Sequence, residues 1–227
     1  VSIVTFLVSS WVSIALGLDK RLAATLGAGG AVCGVSAAIA IAGAVGAKKE
    51  DASIAITVVI IWAIAIIFVL PFAAAYFHLP AGVGGAWIGT SEFADAAGFA
   101  AAQTYGDLAG HGAVAGTGDQ AIFAYTLIKV VGRDVWIGIW AFVLAIIATT
   151  RWERGVPGSN PSAAEVWWRF PKFVIGFVLA SLLITAVTSG LSLADYNKIA
   201  VPALVGPIKD LRTWAFIFCF LIFILII

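Results

Sequence analysis

The run from Ser53 to Phe77 contains no charged residue and is apolar almost throughout. A helix that crosses a hydrocarbon core about 30 Å thick needs about 20 apolar residues, so this run predicts a transmembrane helix. The rest of the chain agrees: it is 62% hydrophobic and 11% charged, far below the charge of a soluble domain. The runs are continuously apolar instead of alternating apolar with polar, which excludes an outer-membrane barrel. The predicted class is an all-α membrane protein.

Along the chain, a first span over about Ile3 to Gly17 closes on Asp19, Lys20 and Arg21, charges expected at an interface. Leu22 to Ala47 is uncharged and rich in Gly, Ala and Ser, and predicts a spanning segment with a weak middle. After Lys48, Lys49, Glu50 and Asp51 comes the long apolar run, with Pro71 as a kink near its end. A second Gly/Ala-rich segment runs from Trp87 to Tyr105, Gly106 to Asp119 reads as loop, and a long helix is expected from Gln120 to Thr150. Arg151 to Pro161 is a polar connection, and Trp167, Trp168, Arg169 and Lys172 form an interfacial belt leading into a span that ends near Val187. Ser189 to Asp210 reads as loop before a partial span from Leu211.

This amounts to about seven transmembrane or re-entrant segments in one transmembrane domain, residues 1–227. A chain with no methionine that starts at Val1 and ends at Ile227, both inside apolar runs, reads as a fragment lacking terminal spans. Alternating loops place Lys20, Arg21, Arg151, Arg154, Arg169 and Lys172 on one face, and Lys48, Lys49, Lys198, Lys209 and Arg212 on the other.

Several functions are excluded. A net charge of +1 has no basic excess for nucleic acid. Cys33 and Cys219 lie in separate apolar segments without metal or disulfide spacing, and His78 and His111 sit in loops without ligand spacing. No glycine cluster matches a nucleotide-binding motif, and no Ser/His/Asp set is suggested, so neither an enzyme nor a cofactor is expected.

Two segments carry candidate chemistry. In Gly27 to Ala38, the residues Gly29, Gly30, Cys33, Gly34 and Ser36 make a helix break inexpensive. Amides freed at such a break in lipid need protein, water or substrate, and a half-helix N-terminus favours an anion. The competing reading is tight helix packing, since Gly30 and Gly34 form GxxxG. The second segment offers Gly89, Thr90 and Ser91 for substrate, and Glu92 and Asp95 for ion coupling. Three apart, these acids share one helix face, and two carboxylates in low dielectric resist ionising together, which leaves one to hold a proton. The competing reading starts this piece in a solvated loop after Gly82, Gly84 and Gly85, with both acids in the first turns of the helix that follows. Lys129 and Arg133, one turn apart, compensate these acids or attract an anion; the alternative is snorkelling toward headgroups.

The stretch Ala31-Val-Cys-Gly-Val-Ser-Ala37 resembles the Ile-Cys-Gly-x-Ser-Ala motif of the YeiH-like family of bacterial membrane proteins, described as sulfate exporters. Gly89-Thr90-Ser91 resembles the opening of that family's Gly-Thr-Ser-Ile-His-Asp motif, whose His-Asp pair falls here on Phe93 and Ala94. The helix with Lys129 and Arg133, and Pro171-Lys-Phe-Val-Ile-Gly-Phe177, are similar in order and spacing, so the resemblance covers about Leu22 to Trp214. It implies a multi-pass protein of the bacterial inner membrane, part of a larger transporter-like fold with inverted repeats and interrupted helices.

The resulting expectation is a secondary transporter that exports a small anion, sulfate or an organosulfonate, by alternating access with proton or cation coupling. Its expected partners are membrane lipids, the anion and, as an option, copies of itself in a homo-oligomer. The rival is a non-transporting membrane subunit or scaffold, distinguished by whether Glu92 and Asp95 face a watered cavity bounded by non-helical backbone or sit in a headgroup-level loop with both glycine segments unbroken and tightly packed.

Overall fold

A computed structural model describes residues 1–153, 167–192 and 195–208, together with 210, 211, 214, 215 and 218. Arg154, the rest of the connection to Pro161, Lys209, Arg212, Cys219 and most of the last partial span lie outside the described residues. The chain divides into two compact units, Val1–Pro171 and Lys172–Ile227. No strand occurs among the described residues, in line with the all-helical expectation.

The first unit contains α1 (Ser2–Ala15), α2 (Lys20–Ala31), α3 (Val35–Val45), α4 (Lys49–Tyr76), α5 (Ala81–Ser91), α6 (Asp95–Gly110) and α7 (Gly118–Trp152). Among the described residues, α4 and α7 are long and apolar enough to cross a bilayer. With 28 residues, α4 extends about 42 Å. Its start is closed by the Asp51 carboxylate, which accepts from the Lys48 amide at 3.1 Å, and the helix continues through Pro71. The start of α7 is a capping box, Thr117 with Gln120. Much of the outer face of α4, including Ile61, Trp62, Phe68 and Phe72, is exposed apolar surface, as expected of a helix facing lipid or another apolar partner.

The segment expected to span from Leu22 to Ala47 does not cross. It breaks at Val32–Gly34, and α3 folds back along α2. Arg21 at the start of α2 donates to the Gly46 carbonyl at the end of α3 at 2.6 Å, and Gly29 lies opposite Ala38. The 12 residues of α2 and 11 of α3 reach only about 18 and about 17 Å. This re-entrant hairpin returns Lys48 to the end where Lys20 entered, and Lys20, Arg21, Lys48 and Arg151 line one cavity of about 680 Å³. That corrects the placing of Lys48 on the opposite face from Lys20 and Arg151: a segment that turns back reverses the alternation of loops.

A second hairpin replaces the single segment expected from Trp87 to Tyr105. It breaks at Glu92–Ala94, with Gly84 against the Tyr105 ring and Glu92 beside Gly98. The glycines at 82, 84 and 85, expected to precede the helix, lie within α5, and α6 extends to Gly110 into the stretch read as loop. The base of this hairpin sits at the other ends of the long helices: the Ala81 amide donates to Ala115 at 2.7 Å just before α7, and the Tyr105 hydroxyl donates to Leu79 just after α4.

The two hairpins thus enter from opposite ends of α4 and α7, and their tips abut, Gly34 packing on the Phe93 carbonyl and Ala94. The spine is α7. Its second half, with Ala141, Ala145 and Ala148, packs on Ala28, Ala37 and Ile41 of the first hairpin. Its first half, with Ala121 and Tyr125, packs on Ile88, Ala101 and Tyr105 of the second. Small residues dominate because attraction between membrane helices comes from close approach. Near the base of the first hairpin, Glu153 is held by Arg21 at 3.0 Å and by both guanidinium nitrogens of Arg169 at 2.8 and 2.9 Å.

The second unit contains α8 (Phe173–Thr188) and a π-helix, Tyr196–Val205, where a loop was expected. The Ser192 hydroxyl, paired with Asp195, supports the start of that helix.

Gly85 tests the α5–α7 contact, because a Cβ there would run into the main-chain oxygen of Ala121, whereas one on Gly82 meets nothing within 4 Å. Gly85→Ala is expected to cost about 1–3 kcal/mol by overpacking, and Gly82→Ala to be neutral or slightly stabilising. Thermal unfolding of the two variants in detergent checks this.

Candidate functional site

A helix broken inside a membrane exposes carbonyls at the end of its first half and amides at the start of its second, and no water is at hand to satisfy them. Here both carbonyl ends face one element, the middle of α7. The Arg133 guanidinium donates to five main-chain carbonyls. In the first hairpin these are Gly30 at 2.8 Å and Ala31 at 3.2 Å; in the second they are Gly89 at 3.4 Å, Thr90 at 3.0 Å and Glu92 at 2.9 Å. The Lys129 ammonium donates to Val32 at 2.7 Å and Phe93 at 2.9 Å, one carbonyl from each tip. Both cations are buried, 1% and 2% exposed, which removes the snorkelling alternative.

Their placement depends on a local departure from the α-helix. Residues Leu127–Asp134 of α7 form a π-helix, a rare geometry that recurs at functional sites. Its i to i+5 spacing stacks Asp134 over Lys129, and the two pair at 3.2 Å. Lys129 also pairs with Asp95 at 2.9 Å. Asp134 was not singled out from the sequence, because α-helical spacing turns it away from Lys129. Its only signal was a third charge beside Arg133 inside an apolar run.

Glu92 and Asp95 do not share a helix face. Glu92 ends α5, and Asp95 begins α6 on the other side of the break. The break also lies at Glu92–Ala94, one turn beyond Gly89, Thr90 and Ser91, because carbonyls 89 and 90 are still in the last turn that Arg133 caps. Glu92 is fully buried, with one carboxyl oxygen accepting from the Ala94 amide at 2.9 Å; the other has no partner among the described residues. Asp95 is half exposed in the first turn of α6, where its charge suits the helix dipole, and its carbonyl accepts from the buried Tyr125 hydroxyl at 2.8 Å.

At the first tip Gly34 takes φ +70°, a conformation suited to glycine, and a Cβ there would press on Val59 and the Phe93 carbonyl. Gly29 is buried against Val59 of α4. Cys33 is half-buried, its sulfur within 4.8 Å of carboxylate oxygens of Asp95 and Asp134. Both carboxylates already pair with Lys129, so this trio forms the polar wall of the tip. Gly34, at the N-cap of α3, offers no side chain to the first turn, where the Ala37 amide lies against the Cys33 sulfur and Ser36 is exposed. Of the expected substrate residues, the structure therefore brings Gly30, Cys33, Gly34, Gly89 and Thr90 to the junction of the tips, with Ser36 and Ser91 at its edges.

A family model described as Conserved hypothetical protein 698 matches residues 1–222. The chain belongs to that family. It is similar to UPF0324 membrane protein RB9488 of Rhodopirellula baltica, 35% identical over 202 residues that make up 89% of this chain and 34% of the relative. A UPF0324 membrane protein of Nitratidesulfovibrio vulgaris is 34% identical over 204 residues, 89% of this chain and 33% of the relative. UPF0324 membrane protein NE0724 of Nitrosomonas europaea is 33% identical over 200 residues, 86% of this chain and 41% of the relative. The chain thus spans about a third to two-fifths of these relatives, and no solved structure matches it. With its long apolar helices and relatives named as membrane proteins, this family member is a helical membrane protein.

Arg133→Gln would leave most of five buried carbonyls without a donor, and a loss of about 3–5 kcal/mol is expected, as when one partner of a buried ion pair is removed. Arg133→Lys is expected to recover only part of it, because an ammonium cannot reproduce the planar fork. Thermal unfolding of both variants beside the exposed-site control Arg151→Gln measures the difference.

Proposed function

We propose that the protein is a secondary transporter of the bacterial inner membrane that exports a small anion, sulfate or an organosulfonate, by alternating access coupled to a proton. The observation that carries this reading is the meeting of two opposed, interrupted hairpins at one buried charged junction. Discontinuous helices paired across an inverted repeat build transporter sites near the bilayer midplane. Here a hairpin followed by a long helix occurs twice, α2–α3–α4 and α5–α6–α7, the two hairpins entering from opposite ends.

The anion fits the start of α3, where the Val35 and Ser36 amides and the Ser36 hydroxyl lie beside the break. Lys129 and Arg133 are committed to carbonyls, so they shape this seat and neutralise the opposing helix ends. The Asp95 charge beside the tip disfavours an anion unless another charge changes with it, which is the requirement for coupling. Glu92, with a buried oxygen that has no partner among the described residues, is the group proposed to take the proton. The sulfate-like substrate comes from the motif resemblance around Cys33-Gly34 and Gly89-Thr90-Ser91.

The test is flux of radiolabelled sulfate in proteoliposomes of the full-length protein as a function of pH. Saturable flux that loses its pH dependence in Glu92→Gln, with the variant shown to be folded, is expected. No flux of sulfate or an organosulfonate above empty liposomes would turn the reading toward the membrane scaffold, and unchanged pH dependence in Glu92→Gln would remove Glu92 as the proton carrier.

A further inference from the structure

The Lys129 ammonium is surrounded by four oxygens from four places in the chain: Val32 carbonyl at 2.7 Å, Phe93 carbonyl at 2.9 Å, Asp95 at 2.9 Å and Asp134 at 3.2 Å. Two of these are main-chain carbonyls released by the two helix breaks, and two are carboxylates. Oxygens of this kind, gathered where helices are interrupted, are what transporters and channels place around a free monovalent cation. The difference here is that the cation is covalently part of the protein.

We infer that Lys129 is a built-in cation: its ammonium fills a monovalent-cation site at the joined hairpin tips, and removing it turns that site into one for free potassium or ammonium. The inference rests on the geometry of the tips and stands whether or not the protein transports an anion.

Size and charge both select the ion. The oxygens lie 2.7–3.2 Å from the nitrogen, beyond the 2.3–2.6 Å of calcium sites and the still shorter distances of magnesium. Potassium is close to ammonium in size and accepts carbonyl oxygens in place of its water, whereas sodium would need the shell to contract. Lys129 places one positive charge between the Asp95 and Asp134 carboxylates. Only a monovalent ion replaces Lys129 without changing that charge. The Asp95 side chain is 56% exposed whereas Lys129 is 1% exposed, so Asp95 is the member of the site that an entering ion meets first. One ammonium joins Val32 of the first hairpin to Phe93 of the second, so the tethered charge also holds the two tips together.

The test uses the full-length protein in detergent, with thermal unfolding in choline, sodium, potassium or ammonium chloride at equal ionic strength. Wild type is expected to unfold at one temperature in all four salts. Lys129→Ala is expected to unfold lower in choline and to recover, saturably, by about 5 °C or more in potassium or ammonium at well above their Kd, with sodium weaker. If the variant folds only when potassium or ammonium is present, that is the same result in stronger form. Lys129→Arg, which keeps a charge on the tether, is expected to show no ion dependence. A Lys129→Ala/Asp95→Asn double variant, with one negative charge also removed, is expected to respond more weakly than Lys129→Ala. Saturable potassium stabilisation of wild type would overturn the inference, as would a Lys129→Ala protein that no monovalent cation stabilises or restores. So would a double variant as responsive as the single one, which would place the ion elsewhere.

Discussion

The capping of two broken helices by Lys129 and Arg133 is the interaction on which the rest of the first unit depends. A helix end inside a bilayer leaves carbonyls that water cannot reach, each worth several kcal/mol if unsatisfied. Two such ends meet here, and seven carbonyls in all receive donors from these two side chains. Burying two cations is itself costly, and the arrangement is tolerable because carbonyl dipoles and two carboxylates surround them. Each side of the junction therefore makes the other possible: without the breaks the cations would lack partners, and without the cations the breaks would lack donors.

The π-helical segment of α7 follows from the same constraint. Lys129, Arg133 and Asp134 have to act on one side of a helix that also packs, above and below, against the alanine-rich faces of both hairpins. A wider turn lets the i, i+4 and i+5 positions act together, while the α-helical halves keep Ala121 and Ala141 in contact with their own hairpin. Small residues then bring the backbones close enough for the side chains to reach. Gly85 against the Ala121 main chain and Gly34 against Phe93 are places where any larger residue holds the elements apart.

The hairpins leave an asymmetry in what is satisfied. The carbonyl ends of α2 and α5 are neutralised by cations, and the amide end of α6 has Asp95 in its first turn, but the amide end of α3 has no charged side chain, only the Cys33 sulfur against the Ala37 amide. Glu92 is similarly incomplete, with one oxygen bonded and one not among the described residues. These are the two places on which the proposed anion seat and the proposed proton site rest. They lie on opposite tips, so a relative movement of the hairpins would act on both.

Much of this was legible in the sequence. A long uncharged run requires a membrane helix because nothing else satisfies its backbone in lipid, and Ser53 to Phe77 and the stretch after Val135 lie in the long helices α4 and α7. The clustering of Gly29, Gly30 and Gly34, and of Gly89 with Glu92 and Asp95, marked the two weak segments, because glycine lowers the cost of leaving the helix. What the sequence could not determine was direction. A run of membrane length with a weak middle reads the same whether it crosses or turns back, and that choice reversed the side assigned to Lys48. Nor could helical spacing separate Glu92 from Asp95 or join Lys129 to Asp134, since a break and a π turn both change the period. Local composition decided where the chain would bend; only the tertiary structure decided which carbonyls the two cations would meet, because those carbonyls come from hairpins about sixty residues apart whose convergence no local pattern records.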